Sequence, residues 1–294
     1  MAKAEHAKKS GFEGSLTEQQ KGCLEEFRER VLASEYTDDF QKDPGGNRLL
    51  LRFLRATMKD KTGSRTFRVD EAYERIVKTF VWRRQHNIHA LQQACEEERP
   101  PPKFDLFRSL YPCISAVNPE TGHYIRWAYF GKFISSLDTA ALTEEEWLQC
   151  FAYDCLSIER TLRQESAARG VEVTTYVSVP DMSGLSLMGV ARRLDFIKHM
   201  SQVSCPSVHH LSPLQNAADH FPELLGRTLM IQCPWIFSKV YALAAPLIDK
   251  DTQSKFVLCN GIPADEFEQV IPQQFWPRDY GGEGPPLPLP LHAQ

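Results

Sequence analysis

An α/β fold with an amino-terminal helical lobe is predicted by three features of the 294-residue chain. Before residue 100, apolar side chains recur three times at helical spacing, with charged residues between them. After Pro100-Pro101-Pro102, short apolar runs alternate with longer helix-periodic stretches. In the stretch 220–282, the apolar runs Leu229-Met230-Ile231 and Phe256-Val257-Leu258-Cys259 read as strands separated by a helix-periodic segment. A strand-helix-strand unit implies parallel pairing through a right-handed crossover. The expected sheet is therefore mixed and mostly parallel, with helices packed against it.

Taken in order, residues 1–14 are small, charged and aperiodic, and are expected to be disordered. Ser15 and Glu18 are spaced as a capping box, and Cys23, Leu24, Phe27, Val31 and Leu32 supply the apolar face of the helix that follows. Asp43-Pro44-Gly45-Gly46 is a turn, and Leu50, Leu51, Phe53 and Leu54 mark the next helix. A third, from about Asp70 to His86, buries Ala72, Tyr73, Ile76, Val77 and Phe80 and leaves Arg75, Lys78, Arg83 and Arg84 opposite. These helices make a lobe over residues 15–100. In the second region, 101–282, residues 124–130 (YIRWAYF) read as a strand, and Thr143 with Glu146 caps a long helix carrying Trp147, Phe151, Cys155, Ile158 and Leu162 inward.

Residues 171–179 alternate: Val171, Val173, Val177 and Val179 point one way, and Glu172, Thr174, Tyr176 and Ser178 the other. A partly polar face on a sheet whose other strands look buried is what a ligand cavity requires. The helix over 237–248, with Phe237, Val240, Tyr241, Ala244, Leu247 and Ile248, is apolar around most of its circumference, as a lid or a core helix would be.

Composition narrows the function. A hydrophobic content of 42%, a charged content of 24% and a net charge of −4 describe an ordinary globular chain with no signature of nucleic-acid binding. No run of about 18 apolar residues occurs, and the first residues lack a signal-peptide core, so a cytoplasmic protein is expected. The eight cysteines form no CxxC pair and read as free thiols; Cys205 near His209-His210 is the weak exception, and no metal or cofactor is expected. GxSxG, HExxH, P-loop and helix-opening GxGxxG motifs are absent, and a triad of Asp181, Ser183 and His199 has no supporting pattern, so an enzyme is not expected.

The segment Arg52-Phe53-Leu54-Arg55-Ala56, the Asp181-Met182-Ser183-Gly184 strand end and the closing Ile271-Pro272, Phe275-Trp276-Pro277 and Asp279-Tyr280-Gly281-Gly282 resemble the CRAL-TRIO lipid-binding family, its yeast-type phosphatidylinositol/phosphatidylcholine transfer members most of all. The resemblance implies an apolar cavity enclosed by sheet and helices, the 237–248 helix as its lid, and a single bound phospholipid, phosphatidylinositol first. It implies a headgroup site of Glu223, Thr252 and Lys255, with Lys255 neutralising the phosphate, and places Arg126, Tyr176 and Ser178 along the cavity. Arg126 stands where the family has an aromatic hydroxyl, so it is expected either to select an acidic second ligand or to pair with a nearby carboxylate. The family's two basic residues after the RFLRA segment are Thr57-Met58 here, and Leu224 stands where an arginine is common. Arg48, Arg52, Arg55 and Lys59, with Lys61, Arg65 and Arg68, still form a basic cluster expected to face an anionic membrane, with a solvated helix face as the alternative.

A carrier is physically sensible because two acyl chains hold roughly 30 methylenes worth about 0.8 kcal/mol each, and only an apolar cavity can replace the bilayer. The alternatives are a carrier of a retinoid, tocopherol or squalene type of ligand, and a regulatory lipid-sensing module. The chain is expected to be a monomer that touches membranes transiently. Residues 283–294 form a proline-rich tail, expected to be an unstructured end, with an SH3-type contact as the other reading.

Overall fold

The computed structural model describes residues 11–58, 66–136, 138, 140–186, 188, 220–235, 237 and 254–291. They fall into two compact units: one comprises Met1–Arg99, Cys155–Thr174 and His220–Glu223, the other Pro100–Asp154, Thr175–Asp219 and Leu224–Gln294.

The first unit holds α1 (Glu18–Leu32), α2 (Thr37–Lys42), α3 (Asn47–Ala56), α4 (Val69–Gln85) and α5 (Ile88–Glu96). The capping box of α1 lies two residues beyond the expected one. Thr17 accepts from the Gln20 amide, and the Gln20 side chain accepts from the Thr17 amide. Ser15 is not available, because its hydroxyl donates to the Phe12 carbonyl at 3.1 Å. Phe27, Val31, Leu50, Phe53, Leu54, Ala72, Ile76 and Phe80 make one core, so α1, α3 and α4 meet along their apolar stripes. Part of the segment expected to be disordered is packed here, with Phe12 lying over the Arg55 guanidinium at 4.4 Å.

Arg83 is not on the solvent side of α4. It is 1% exposed and ion-paired with Asp43 of the Pro44-Gly45-Gly46 turn, whose carboxylate also accepts from the Gly45 amide at 2.7 Å. Burial disfavours the Asp43 carboxylate, but Arg83, the Gly45 amide and Gln92 outweigh it and hold its pKa below the usual range.

The strand expected over 171–179 is shorter than its alternation suggested. Val171 is 58% exposed, and the Ser166 hydroxyl binds both the amide and the carbonyl of Val173 at 2.9 and 3.1 Å. Those bonds satisfy the Val173 backbone locally, so pairing starts only at Tyr176.

In the second unit are α6 (Phe104–Leu110), β1 (Cys113–Val117), β2 (Tyr124–Ala128), α7 (Phe130–Ser136), β3 (Tyr176–Pro180), β4 (Leu225–Met230), β5 (Phe256–Leu258) and α9 (Ala264–Val270). The helix α8 (Glu144–Arg169) gives residues 144–154 to this unit and 155–169 to the helical one. Thr143 and Glu146 cap it reciprocally, as expected. The five strands lie in the order β1-β2-β3-β4-β5, with β1 antiparallel to β2 and every other pair parallel. This is the mixed, mostly parallel sheet the sequence predicts. β4 starts four residues earlier than expected, at Leu225, and the register slips between Tyr176 and Val177 beside Gly226. A Cβ at Gly226 would stand 2.4 Å from the Thr175 hydroxyl, so only glycine allows that approach.

One face of the sheet is closed. Ile125, Trp127, Val179, Leu229 and Ile231 pack on Phe267, Ile271, Trp276 and Tyr280. The Tyr280 hydroxyl donates to the fully buried Asp181 at 2.7 Å, which ties the end of β3 to the carboxyl-terminal turns. The tail is not an unstructured end as far as Leu291: Leu287 is 4% exposed in this same core, and its amide donates to Asp279 at 2.7 Å.

His220 supplies a test in the helical unit. Its ring stacks on Trp82 at 4.4 Å and shares a 2.8 Å hydrogen bond with Thr79. Burial, then Arg83, His86 and Arg75, pull its pKa down to about 3. The unfolded chain protonates near pH 6.5, so stability is full above that value and falls as pH drops toward the folded value. Wild type should therefore lose about 2 kcal/mol more than His220→Gln between pH 7 and pH 5 in urea unfolding. Parallel losses in the two proteins would mean that the imidazole titrates freely.

Candidate functional site

The opposite face of the sheet has a different character. The register aligns Ser115, Arg126, Ser178, Thr228 and Phe256 in one row across all five strands. A second row holds Val117, Tyr124 and Tyr176 and ends at the register slip before β4, and Met230 pairs with Leu258 further along. Paired residues share a face, so hydroxyls and large apolar groups alternate over this surface. Tyr124, Tyr176, Ser178, Met230, Phe256 and Leu258 are half-buried, whereas Thr228 is buried.

Two of the expected cavity residues, Tyr176 and Ser178, stand on this face next to hydroxyl-bearing neighbours that the sequence reading missed. Tyr124 donates to the Ser115 hydroxyl at 2.8 Å, and its ring meets Tyr176 edge-on at 6.3 Å. Burial raises the Tyr124 pKa, keeping the phenol neutral. The face therefore offers neutral polar groups to a ligand.

Arg126, the third, is 7% exposed and has its own anion: Nη2 lies 2.7 Å from Asp154 Oδ2 of α8, and Nε donates to Cys113 Sγ at 2.7 Å. Burial opposes its charge, but Asp154 and then Cys113, Tyr111 and Tyr124 outweigh that and hold its pKa well above the ordinary guanidinium value. Arg108 closes the cluster, donating to the Cys113 carbonyl at 2.6 Å and lying 3.6 Å from Asp154. Asp154 had a signal in the sequence. It lies in the inward stripe of α8 with Trp147, Phe151 and Ile158, where a carboxylate needs a partner.

The basic cluster of α3 is divided by the fold. Arg52 is buried, ion-paired with Glu159, and donates to the Pro222 carbonyl at 2.8 Å. Arg55 is also buried, donates to the Gly11 carbonyl at 3.1 Å, and has its pKa lowered by burial against the pull of Glu172 and Glu223. Neither faces outward as expected, because the RFLRA segment lies in a helix whose apolar face is the lobe core and whose arginines meet carboxylates and carbonyls. Arg48 remains half-exposed and pairs with Glu13 at 3.3 Å, and Lys59 lies outside the described residues.

Of the headgroup set, Glu223 belongs to the helical unit and takes a left-handed backbone at φ 57°, in a turn. Lys255 immediately precedes β5 in the sheet unit and is half-buried. Leu224 is buried. Thr252, the lid residues Val240, Tyr241, Ala244, Leu247 and Ile248, and the Cys205, His209 and His210 loop lie outside the described residues; Phe237 is described and half-buried. Among the described residues, no helix is long and apolar enough to cross a membrane.

The profile of the CRAL/TRIO domain family matches residues 126–282, more than half of the chain, from the buried arginine of β2 to the turn after Tyr280. The chain belongs to this family of lipid-binding and lipid-transfer proteins. It is 25% identical over 274 residues to a Sec14 cytosolic factor of Candida glabrata, covering 93% of this chain and 81% of that one. With the Sec14 cytosolic factor of Kluyveromyces lactis the identity is 26% over 276 residues, with the same coverage. A CRAL-TRIO domain-containing protein of Saccharomyces cerevisiae is 25% identical over 92% of this chain and 80% of its own. The crystal structure of Sfh5 superposes with a TM-score of 0.58 at 13% identity, covering 90% of this chain and 88% of that one, and so shares the fold.

The Arg126 cluster generates a stability prediction. Arg126→Met leaves the buried Asp154 with only the more distant, partly exposed Arg108 and should cost about 3 kcal/mol in chemical unfolding. The double substitution with Asp154→Leu should recover most of that loss. If the double variant is no more stable than the single one, the pair does not set the energetics of this face.

Proposed function

We propose that the protein holds one phospholipid, phosphatidylinositol first, with its acyl chains against the mixed face of the sheet, and exchanges or presents it at membranes from the cytosol. The observation that carries this reading is the asymmetry of the sheet. One face is sealed by a continuous hydrophobic core, while the other presents half-buried Tyr176, Ser178, Met230, Phe256 and Leu258 beside the hydroxyls of Ser115 and Thr228. Such a surface suits a ligand with long apolar chains and ester oxygens, since methylenes gain from Phe, Leu and Met, and oxygens accept from hydroxyls. Membership in a lipid-binding and transfer family supports it. The headgroup assignment of Glu223, Thr252 and Lys255 rests on the resemblance, with Lys255 the cation that meets the phosphate.

A second reading, a carrier of a wholly apolar ligand, is favoured by one observation. Arg126, the cation in the central row of that face, is already neutralised by Asp154, so the floor of the sheet brings no net attraction for an anionic group. Lys255→Ala separates the two. On the phospholipid reading it abolishes phosphatidylinositol transfer between vesicles, because removing a charge partner of a bound phosphate costs roughly 3 to 5 kcal/mol. Equal transfer by the variant and wild type would overturn the headgroup assignment and favour the apolar ligand. On the same reading, Asp at both Val240 and Leu247 slows transfer with circular dichroism unchanged, and unaltered transfer would remove the lid.

A further inference from the structure

Glu223 is held in a backbone conformation that glutamate rarely takes. Its φ of 57° lies in the left-handed region, where a Cβ crowds the following carbonyl and glycine is the usual occupant. A residue kept there against its own preference is held by its surroundings, and such positions cluster at functional sites. His220, Phe221, Pro222 and Leu224 are buried, and among residues 220–224 Glu223 alone is half-buried.

The neighbours show what holds it. The His220 ring stacks on Trp82 and shares a 2.8 Å hydrogen bond with Thr79, and the Phe221 ring meets Trp82 edge-on at 6.2 Å. Arg52 Nε donates to the Pro222 carbonyl at 2.8 Å. That carbonyl and the Glu223 amide belong to one planar peptide, so fixing the oxygen fixes one of the two planes that define the Glu223 backbone. Beyond Glu223, the Leu224 carbonyl accepts from the Tyr176 amide at 3.1 Å as the chain enters β4. The guanidinium is itself oriented, because Nη1 is ion-paired with Glu159 of α8. A planar fork serves a carbonyl and a carboxylate at once in a fixed relation, whereas a lysine ammonium is a single point that turns freely. Arg55, one turn along α3, adds a positive charge within electrostatic reach of Glu223.

We propose that Arg52 is a positioning residue for headgroup recognition: through the Pro222 carbonyl it keeps Glu223 left-handed, which presents the carboxylate to the hydroxyls of an inositol ring. The proposal rests on the phospholipid reading above and adds to it a residue that acts without touching the lipid. A carboxylate accepts well from ring hydroxyls only when it is fixed in place. The backbone strain is then part of the site, since a glycine would sit there more easily and would carry no carboxylate.

The test measures binding of pyrene-labelled phosphatidylinositol and of phosphatidylmethanol with the same chains, which keeps the phosphodiester charge and lacks the ring. Wild type should prefer phosphatidylinositol. Arg52→Lys should lower that preference about tenfold, the worth of a charge-assisted hydrogen bond, with phosphatidylmethanol binding and circular dichroism unchanged. Glu223→Gly should lower it equally, and Arg52→Lys should have no further effect on that background, because its action passes through Glu223. Should Arg52→Lys fail to fold, Thr79→Val frees the turn at His220 instead and should lower the preference about threefold, again only while Glu223 is present. An unchanged preference in the folded variant, a parallel loss of both lipids, or effects that multiply in the double variant would overturn the proposal. Equal binding of the two lipids by wild type would overturn the inositol reading itself, and the proposal with it.

Discussion

The register of β2, β3 and β4 is the constraint on which the sheet unit depends. Pairing Arg126 with Ser178 and Ser178 with Thr228 forces Trp127, Val179 and Leu229 to the other side, because successive side chains on a strand alternate faces. A slip of one residue would carry the ion pair into the hydrophobic core and Trp127 into the polar row. The slip that does occur, beside Gly226, falls before those rows begin and leaves them aligned. Asp181 then locks the other end of β3, accepting from Tyr280 and from the Ser183 amide, both at 2.7 Å.

Buried guanidinium-carboxylate pairs recur in both units. Arg83 meets Asp43 between α4 and the turn before α3, Arg52 meets Glu159 between α3 and α8, and Arg126 meets Asp154 between β2 and α8. Each joins elements far apart in sequence where a pair of apolar residues would fit as well energetically. Their contribution lies in register and orientation: a guanidinium with several donors tolerates few placements, and a misdocked helix leaves its charge unpaired.

Elements with strong periodicity were legible in the sequence. The long helix α8 with its Thr143–Glu146 cap, the helices of the lobe, and the parallel pairing of β4 with β5 follow from pattern alone. What the pattern could not show was where local hydrogen bonds override alternation. Residues 171–175 read as strand, yet Ser166 captures the Val173 backbone and ends the helix-to-strand passage outside the sheet. Arginines misled for a related reason. On helical spacing Arg83, Arg52 and Arg55 belong to a polar face, and only the fold supplies the carboxylates and carbonyls that make their burial tolerable. The mixed face was half legible: Tyr176 and Ser178 could be read from alternation, whereas Ser115, Tyr124 and Thr228 join them only through strand pairing.

On the proposed reading the protein must also release the lipid it holds, and the mixed face suits that demand. Were Ser178, Thr228 and Ser115 all Leu, the surface would bind hydrocarbon more strongly, at about 0.8 kcal/mol for each methylene buried, and a lipid would leave it slowly. It would also meet ester and headgroup oxygens with nothing to donate, at a desolvation cost of about 1 to 3 kcal/mol for each unpaired polar group. Hydroxyls avoid both penalties. They can turn toward ligand oxygens when the cavity is filled and toward water when it is open, so the difference between the two states stays small. The Arg126 charge, if unpaired, would bias that balance toward a fixed anion in the floor of the sheet. With Asp154 beside it the floor is close to neutral, so on the proposed phospholipid reading selection among lipids falls to groups at the strand ends, Lys255 before β5 among them.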